Sequence, residues 1–94
     1  MWSTMIFVVI AGPGRETVLA ERIHEFYGNK SIALHATPGQ WFVASNGTAE
    51  EVSTRLGITA DKPDDIAPAI VLAVAGYWGR EAPNIWEWLA LHGD

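Results

Sequence analysis

The chain has 94 residues, which suits one domain with a single core, so we expect one domain over residues 1–94. It contains no cysteine, which excludes disulfides, thiolate zinc sites and cysteine nucleophiles and fits a cytoplasmic location. Eleven acidic and six basic residues give a net charge of −5. This balance disfavours non-specific nucleic-acid binding, which draws on clustered Lys and Arg to neutralise phosphates.

The hydrophobic content is high for so short a chain. Hydrophobic residues make up 49% of the sequence, and five of them are Trp. We interpret the excess as the sign of an oligomeric or partner interface, because one small core does not absorb so much apolar surface. The apolar stretch at the N-terminus is far shorter than the about 20 residues of a membrane span, so no membrane partner is expected.

The first half of the chain predicts a strand, a helix and a hairpin. Thr4–Ala11 is apolar on both faces, which is typical of a central strand, and Gly12–Gly14 ends it. A helix is predicted from Arg15 to Tyr27. Its apolar side carries four residues at helical spacing, namely Val18, Leu19, Ile23 and Phe26. Residues 31–37 and 40–45 then form the hairpin around Pro38-Gly39.

The second half predicts a capped helix, an apolar strand and a Trp-rich helix. Thr48 and Glu51 make a capping box, and that helix runs to about Leu56 before Gly57. The strand covers Ala69–Ala75. Pro83 begins the last helix, which reaches about Leu91.

The order β-α-β-β-α-β with a C-terminal helix predicts an α+β fold, a ferredoxin-like βαββαβ sandwich. Across the sheet, the fourth strand lies beside the first, the first beside the third, and the third beside the second. Both sheet faces are apolar, so the C-terminal helix and a second subunit are expected to share the face without the two earlier helices. The fourth strand is then an apolar edge that invites pairing with another chain.

No motif in the chain fixes a reaction. The turn at Gly12–Arg15 lacks both the P-loop and the dinucleotide-binding spacing, and an ordinary tight turn is favoured over an anion site. His24, His35 and His92 have no metal-ligand spacing. A solvated loop is favoured over a cation site for residues 61–65. We therefore predict no catalytic, cofactor-binding or metal-binding residue, and no cofactor.

The aromatic residues carry the strongest functional signal, because Trp and Arg are typical interface anchors. We expect Trp86 to share a helix face with Ile85 and Leu89, and Trp88 to share another with Leu91. A helix with two apolar faces commonly lies between its own core and a partner, although the aromatics could instead fill the core. The interface candidates are Trp41, Trp78, Arg80, Trp86 and Trp88.

The order of elements, the Gln40–Val43 strand and the capped Thr48–Val52 helix resemble a known group. They are similar to the small ferredoxin-like proteins related to the CRISPR adaptation nuclease subunit and to the VapD and SinR-type bacterial proteins. The resemblance implies homodimers that form through their sheets. Nuclease members carry a metal-binding acidic residue at the end of the first strand, where this chain has Ile10-Ala11-Gly12. No catalytic residue is therefore carried over.

Taken together, these features predict a non-catalytic, homodimeric protein-interaction module of prokaryotic or phage origin, which could also bind another protein. Three alternatives remain open at this point. The first is an inhibitor of a nucleic-acid-binding defence complex, similar to an anti-CRISPR protein. The others are a metal-dependent nuclease of the ferredoxin-like type and a small-ligand regulatory domain.

Overall fold

The computed structural model describes residues 4–34, 39–59 and 68–92. Within them lie four strands and three α-helices: β1 (Met5–Ala11), α1 (Glu16–Tyr27), β2 (Ser31–Ala33), β3 (Gln40–Ser45), α2 (Ala49–Leu56), β4 (Ala69–Ala73) and α3 (Pro83–His92). A 3-10 turn at Gly28–Lys30 joins α1 to β2. None of these helices is both long enough and apolar enough to cross a membrane.

The strands form one sheet in the order β2-β3-β1-β4, and all neighbours run antiparallel. The apolar strand β1 is central, with β3 on one side and β4 on the other. The predicted α+β class and the pairing of the fourth strand with the first are confirmed. The assignment to the ferredoxin-like fold goes further and stays a prediction.

Several boundaries differ from those predicted. Strand β4 ends at Ala73 instead of Ala75, although the Val74 N–H still donates to the Ile6 carbonyl at 2.9 Å. Strand β2 is also shorter than expected and ends at Ala33. The predicted turn at Pro38 and the loop over residues 61–65 lie outside the described residues.

Helices α1 and α2 pack on one face of the sheet, which we call the closed face. The core there buries residues of both helices and of the two central strands: Phe7, Val9, Leu19, Ile23, Tyr27, Trp41, Val43, Val52 and Leu56. The expectation that Phe26 joins this core is wrong, because its side chain is 42% exposed. The buried positions of α1 advance by four, through Leu19 and Ile23 to Tyr27, and Phe26 lies off that line.

The predicted ends of α2 are confirmed. The Thr48 hydroxyl accepts from the Glu51 N–H at 3.1 Å, and the Glu51 carboxylate accepts from the Thr48 N–H at 2.8 Å. Gly57 ends the helix in the left-handed conformation with φ of 91°. Such an N-cap stabilises a helix by about 0.5–2 kcal/mol and helps to determine where α2 begins.

Candidate interaction surface

The opposite face of the sheet, which we call the open face, is covered by α3 alone among the described elements. Ile85, Trp88 and Leu89 are buried against Ile6 of β1 and Ala44 of β3. These helix positions are three and four apart, so they form a single stripe. The expectation that Trp88 lies on a different face from Ile85 and Leu89 is therefore wrong.

Trp88 fixes α3 to the rest of the domain. Its ring stacks on Phe42 of β3 with centroids 6.2 Å apart and planes 11° apart. Its indole N–H donates to the Asn29 carbonyl at 3.1 Å, a partner 59 residues away in sequence. His92, one helical turn further along α3, lies with its ring 4.6 Å from that of Trp88. Trp88 thus contacts both the sheet and the chain that follows α1.

The cover that α3 provides stops part-way along the open face. Beyond it lie four aliphatic residues on two neighbouring strands, which we call the apolar patch: Val8, Ile10, Ile70 and Leu72. Val8 is opposite Leu72 in the ladder, and Ile10 is opposite Ile70, so the four are contiguous. Ile70 is 51% exposed and Leu72 is 43% exposed, while Val8 and Ile10 are half-buried. Contiguous exposed apolar residues of this kind mark binding surfaces more often than single ones do.

The apolar patch reaches the edge of the sheet, because β4 is its last strand. After β4 the chain passes through residues 74–82, a segment without helix or strand that we call the Trp78 arm. The Trp78 side chain is 97% exposed, the largest exposure of any large hydrophobic residue in the described part of the chain. An indole this exposed has almost no contact within its own subunit and is free to enter a partner's surface.

The structure separates the five interface candidates into four environments. Trp41 is buried in the core of the closed face, and Trp88 is buried between α3 and the open face. Trp86 is half-buried at the edge of α3, with its ring 6.2 Å from that of Tyr77. Only Trp78 and Arg80, both on the Trp78 arm, are exposed. The five residues therefore do not form one surface.

A second concave feature lies between the end of α1, the end of β3 and α2. It is an open groove of about 840 Å³, lined in part by Tyr27, Lys30, Glu50 and Arg55. The Arg55 guanidinium lies 6.0 Å from the centre of the Tyr27 ring. Burial raises the pKa of the Tyr27 phenol above its ordinary value of 10.0, against the opposing effect of Arg55. Both acidic and basic side chains line the groove, so its charge favours neither anions nor cations.

The turn between β1 and α1 is explained by packing. The Gly12 N–H donates to the Pro68 carbonyl at 2.8 Å, and the Arg15 N–H donates to the Gly12 carbonyl at 3.1 Å. A Cβ atom on Gly12 would lie 2.6 Å from the Pro68 oxygen, so only glycine fits. These two amides are already bonded within the chain and do not point at an anion.

The described residues hold no group of three or more His, Asp or Glu side chains that could bind a metal ion. His24 is exposed on α1, and His92 packs on Trp88. His35 and the acidic residues at 61, 64 and 65 lie outside the described part of the chain.

Comparison with known proteins finds no relative of the chain. No protein-family model matches the chain, and neither a curated protein nor a solved structure matches it significantly.

Sequence reasoning identified the fourth strand as an apolar edge suited to pairing and Trp78 as an interface candidate, but it did not identify the apolar patch. The alternation of Ile6, Val8 and Ile10 along β1 places all three on one face. It does not indicate which of them α3 covers. The contact between Trp88 and the Asn29 carbonyl also had no sequence signal, because it joins a side chain to distant backbone.

Proposed function

We propose that the chain is a non-catalytic protein-interaction module that forms a homodimer through its open face. The observation that carries this proposal is the exposure of Ile70 and Leu72 beside Val8 and Ile10 in one contiguous patch. Complete burial of a Val, Leu or Ile side chain contributes about 1.5–3 kcal/mol. A partner that covered the apolar patch would thus gain several kcal/mol from these side chains before the cost of association is subtracted.

The proposal includes a ferredoxin-like fold, and the topology supports it. Strands β1 and β2 flank β3 and are joined through α1, while β3 and β4 flank β1 and are joined through α2. These are two interleaved βαβ units, with both connecting helices contributing to the closed-face core. A cytoplasmic location also belongs to this proposal, supported by the absence of cysteine.

Light scattering coupled to size exclusion tests the proposal directly. We expect the wild-type chain to be a dimer at high micromolar concentration and Leu72→Glu to be a monomer, because a carboxylate in the apolar patch would be buried without a partner. Thr17→Glu is the matched control, since it adds the same charge at an exposed position of α1. A wild-type chain that stays monomeric at high micromolar concentration would remove the proposal.

A catalytic role would be revealed by a separate assay. The wild-type chain would be incubated with RNA and with DNA in the presence of magnesium or manganese, with and without a chelator. Under the proposed function neither substrate is cleaved. Cleavage that the chelator abolishes, and that persists after repurification, would replace the proposal with a metal-dependent nuclease.

A further inference from the structure

The free edge of β4 presents a defined set of backbone groups. The Gly12 N–H donates to the Pro68 carbonyl, and the Val74 N–H donates to the Ile6 carbonyl. Residues 68 and 74 therefore direct their backbone groups toward β1. In an antiparallel ladder successive residues alternate between the two sides of a strand. The backbone N–H and C=O groups of residues 70 and 72 therefore also point toward β1. The N–H and C=O groups of Ala69, Val71 and Ala73 point away from β1, toward the edge that no described strand pairs.

Within Ala69–Ala73, that edge has no charged side chain, proline or bulge to prevent pairing. Edge strands in monomers are usually blunted by charged side chains, proline or a bulge. The five residues of β4 are Ala-Ile-Val-Leu-Ala, with no charge and no proline. Their ladder with β1 runs through five consecutive pairs without a bulge. The strand is therefore suited to accept another strand along its free side.

The residue types along β4 are symmetric about Val71. Ala69 matches Ala73 in size, and Ile70 matches Leu72. In a two-fold symmetric antiparallel pair of strands, each residue meets the partner residue that lies equally far on the other side of the axis, so a strand that pairs with itself needs this kind of self-complementarity. With the axis at Val71, Ile70 lies opposite the partner's Leu72 on the open face. The two apolar patches then join into one.

The same arrangement brings the Trp78 arm to the apolar patch. In an antiparallel pair centred on Val71, the partner's Ala73 lies opposite Ala69 of the first copy. The partner's Trp78 arm therefore begins beside Ala69 of the first copy. This is the end of the open face that α3 leaves uncovered, because α3 packs near Ile6 at the other end. Trp78 is five positions after Ala73, a length of chain that spans at most about 17 Å when extended. This is enough to cross the two outer strands once the arm leaves its position beside Trp86.

The area requirement also favours a contribution from the Trp78 arm. A stable interface buries about 800 Å² per partner, more than a five-residue strand edge supplies by itself. A Trp side chain buries about 150–250 Å², and each copy would contribute one. We infer that two copies of the chain pair antiparallel along β4, centred on Val71, and that each copy's Trp78 covers the apolar patch of the other. This inference rests on the proposed homodimer and specifies its geometry.

Cysteine cross-linking tests the register, and the wild-type chain has no cysteine to interfere. Chains carrying Ile70→Cys would be mixed with chains carrying Leu72→Cys and oxidised gently. Positions 70 and 72 of opposite copies face each other at about 4.5–5.5 Å in the inferred pair, within reach of a disulfide. Two copies of the same variant place their cysteines diagonally at about 7–8 Å, beyond that reach. We therefore expect a disulfide-linked dimer from the mixture and not from either variant alone.

Thr17→Cys mixed with Leu72→Cys is the control for random collision, since Thr17 is exposed on α1, away from β4. Non-reducing electrophoresis measures the linked fraction, and mass spectrometry identifies the joined peptides. If the wild-type chain is a dimer but the 70–72 mixture links no faster than the control, this inference is overturned and the homodimer stands. If the wild-type chain is a monomer, the inference and the proposed function fail together.

A backbone test is independent of cysteine chemistry. Ala73→Pro removes an N–H that points to the free edge and leaves every bond to β1 in place. Ala73→Ser is the matched control, because it keeps the N–H. We expect Ala73→Pro to raise the dimer dissociation constant at least tenfold and Ala73→Ser to leave it unchanged, with circular dichroism confirming that both are folded. Equal dissociation constants for the two folded variants would overturn the β4 pairing.

Discussion

The two faces of the sheet differ in how completely the chain covers them. The closed face has two helices and a core in which Phe7, Val9 and Val43 are fully buried. The open face is as apolar along β1 but has one helix among the described elements. A helix is about 10 Å across with its side chains, while four strands spaced at about 4.8 Å make a wider surface. A single helix therefore leaves part of an apolar sheet uncovered.

The same residue types have different roles on the two faces. Val9 and Val8 are adjacent in β1, yet Val9 is fully buried beneath the helices and Val8 belongs to the half-buried apolar patch. Residues on the closed face determine whether the domain folds. Residues at the uncovered end of the open face contribute little to folding of one copy and are available for assembly. Substitutions on the two faces should separate these roles.

The largest effect is expected on the closed face. Phe7→Ala removes a fully buried ring from the central strand and should lower the free energy of unfolding by about 3–5 kcal/mol. Domains of this size commonly have a total stability of only about 5–15 kcal/mol, so the variant should be largely unfolded in mild urea. Urea titration followed by circular dichroism measures the loss. A cost below about 1 kcal/mol would show that the closed face is not the main core.

Trp88→Ala should have the next largest effect, because it removes the contact that fixes α3 to the open face. The loss includes the stacking on Phe42 and the hydrogen bond to the Asn29 carbonyl. We expect about 3 kcal/mol of destabilisation, since large-to-small substitutions of buried aromatic residues cost about 3–5 kcal/mol and α3 borders the solvent.

Trp88→Phe is the informative control for this prediction. It keeps an aromatic ring against Phe42 but loses the indole N–H, so its cost should be about 1–3 kcal/mol, from the lost hydrogen bond to the Asn29 carbonyl together with lost contact area. If Trp88→Ala instead left the monomer fully stable and only dissociated the dimer, Trp88 would be an interface residue, as the sequence suggested. Unfolding and light scattering on the same samples distinguish the two outcomes.

The sequence predicted the closed face well because its signals are local. The capping residues Thr48 and Glu51 and the terminal Gly57 fix α2 within one short stretch of chain. The apolar spacing of Leu19 and Ile23 likewise indicates which side of α1 meets the sheet. Each of these features depends on residues a few positions apart, so the pattern carries the information.

The open face was less predictable because its arrangement depends on distant contacts. Helix α3 has apolar residues around much of its circumference, including Trp86 and Leu91 outside the buried stripe. Periodicity therefore allows more than one docking face. The choice is made by the stack on Phe42 and by the Asn29 carbonyl, which the pattern of α3 does not contain.

Alkaline pH should weaken the closed face through Tyr27. Burial raises the pKa of this phenol in the folded state above its ordinary value of 10.0. The folded chain then holds its proton more tightly than the unfolded chain, so the stabilisation is fully present below pH 10.0 and is lost as pH rises through the folded pKa. Tyr27→Phe should flatten the decline in unfolding free energy above pH 10.0. If Tyr27→Phe leaves this decline unchanged, groups other than Tyr27 cause it.

The smallest effect on folding is expected for Trp78→Ala, because its side chain is 97% exposed. Surface substitutions of this kind usually change the unfolding free energy by less than about 0.5 kcal/mol. The same variant should weaken the dimer at least tenfold if Trp78 covers the partner's apolar patch, since a Trp anchor at an interface commonly contributes about 2 kcal/mol or more. Unfolding would be measured at concentrations where the chain is monomeric, and association by sedimentation. A variant that dimerises normally would remove Trp78 from the interface and leave the apolar patch to be covered by other residues.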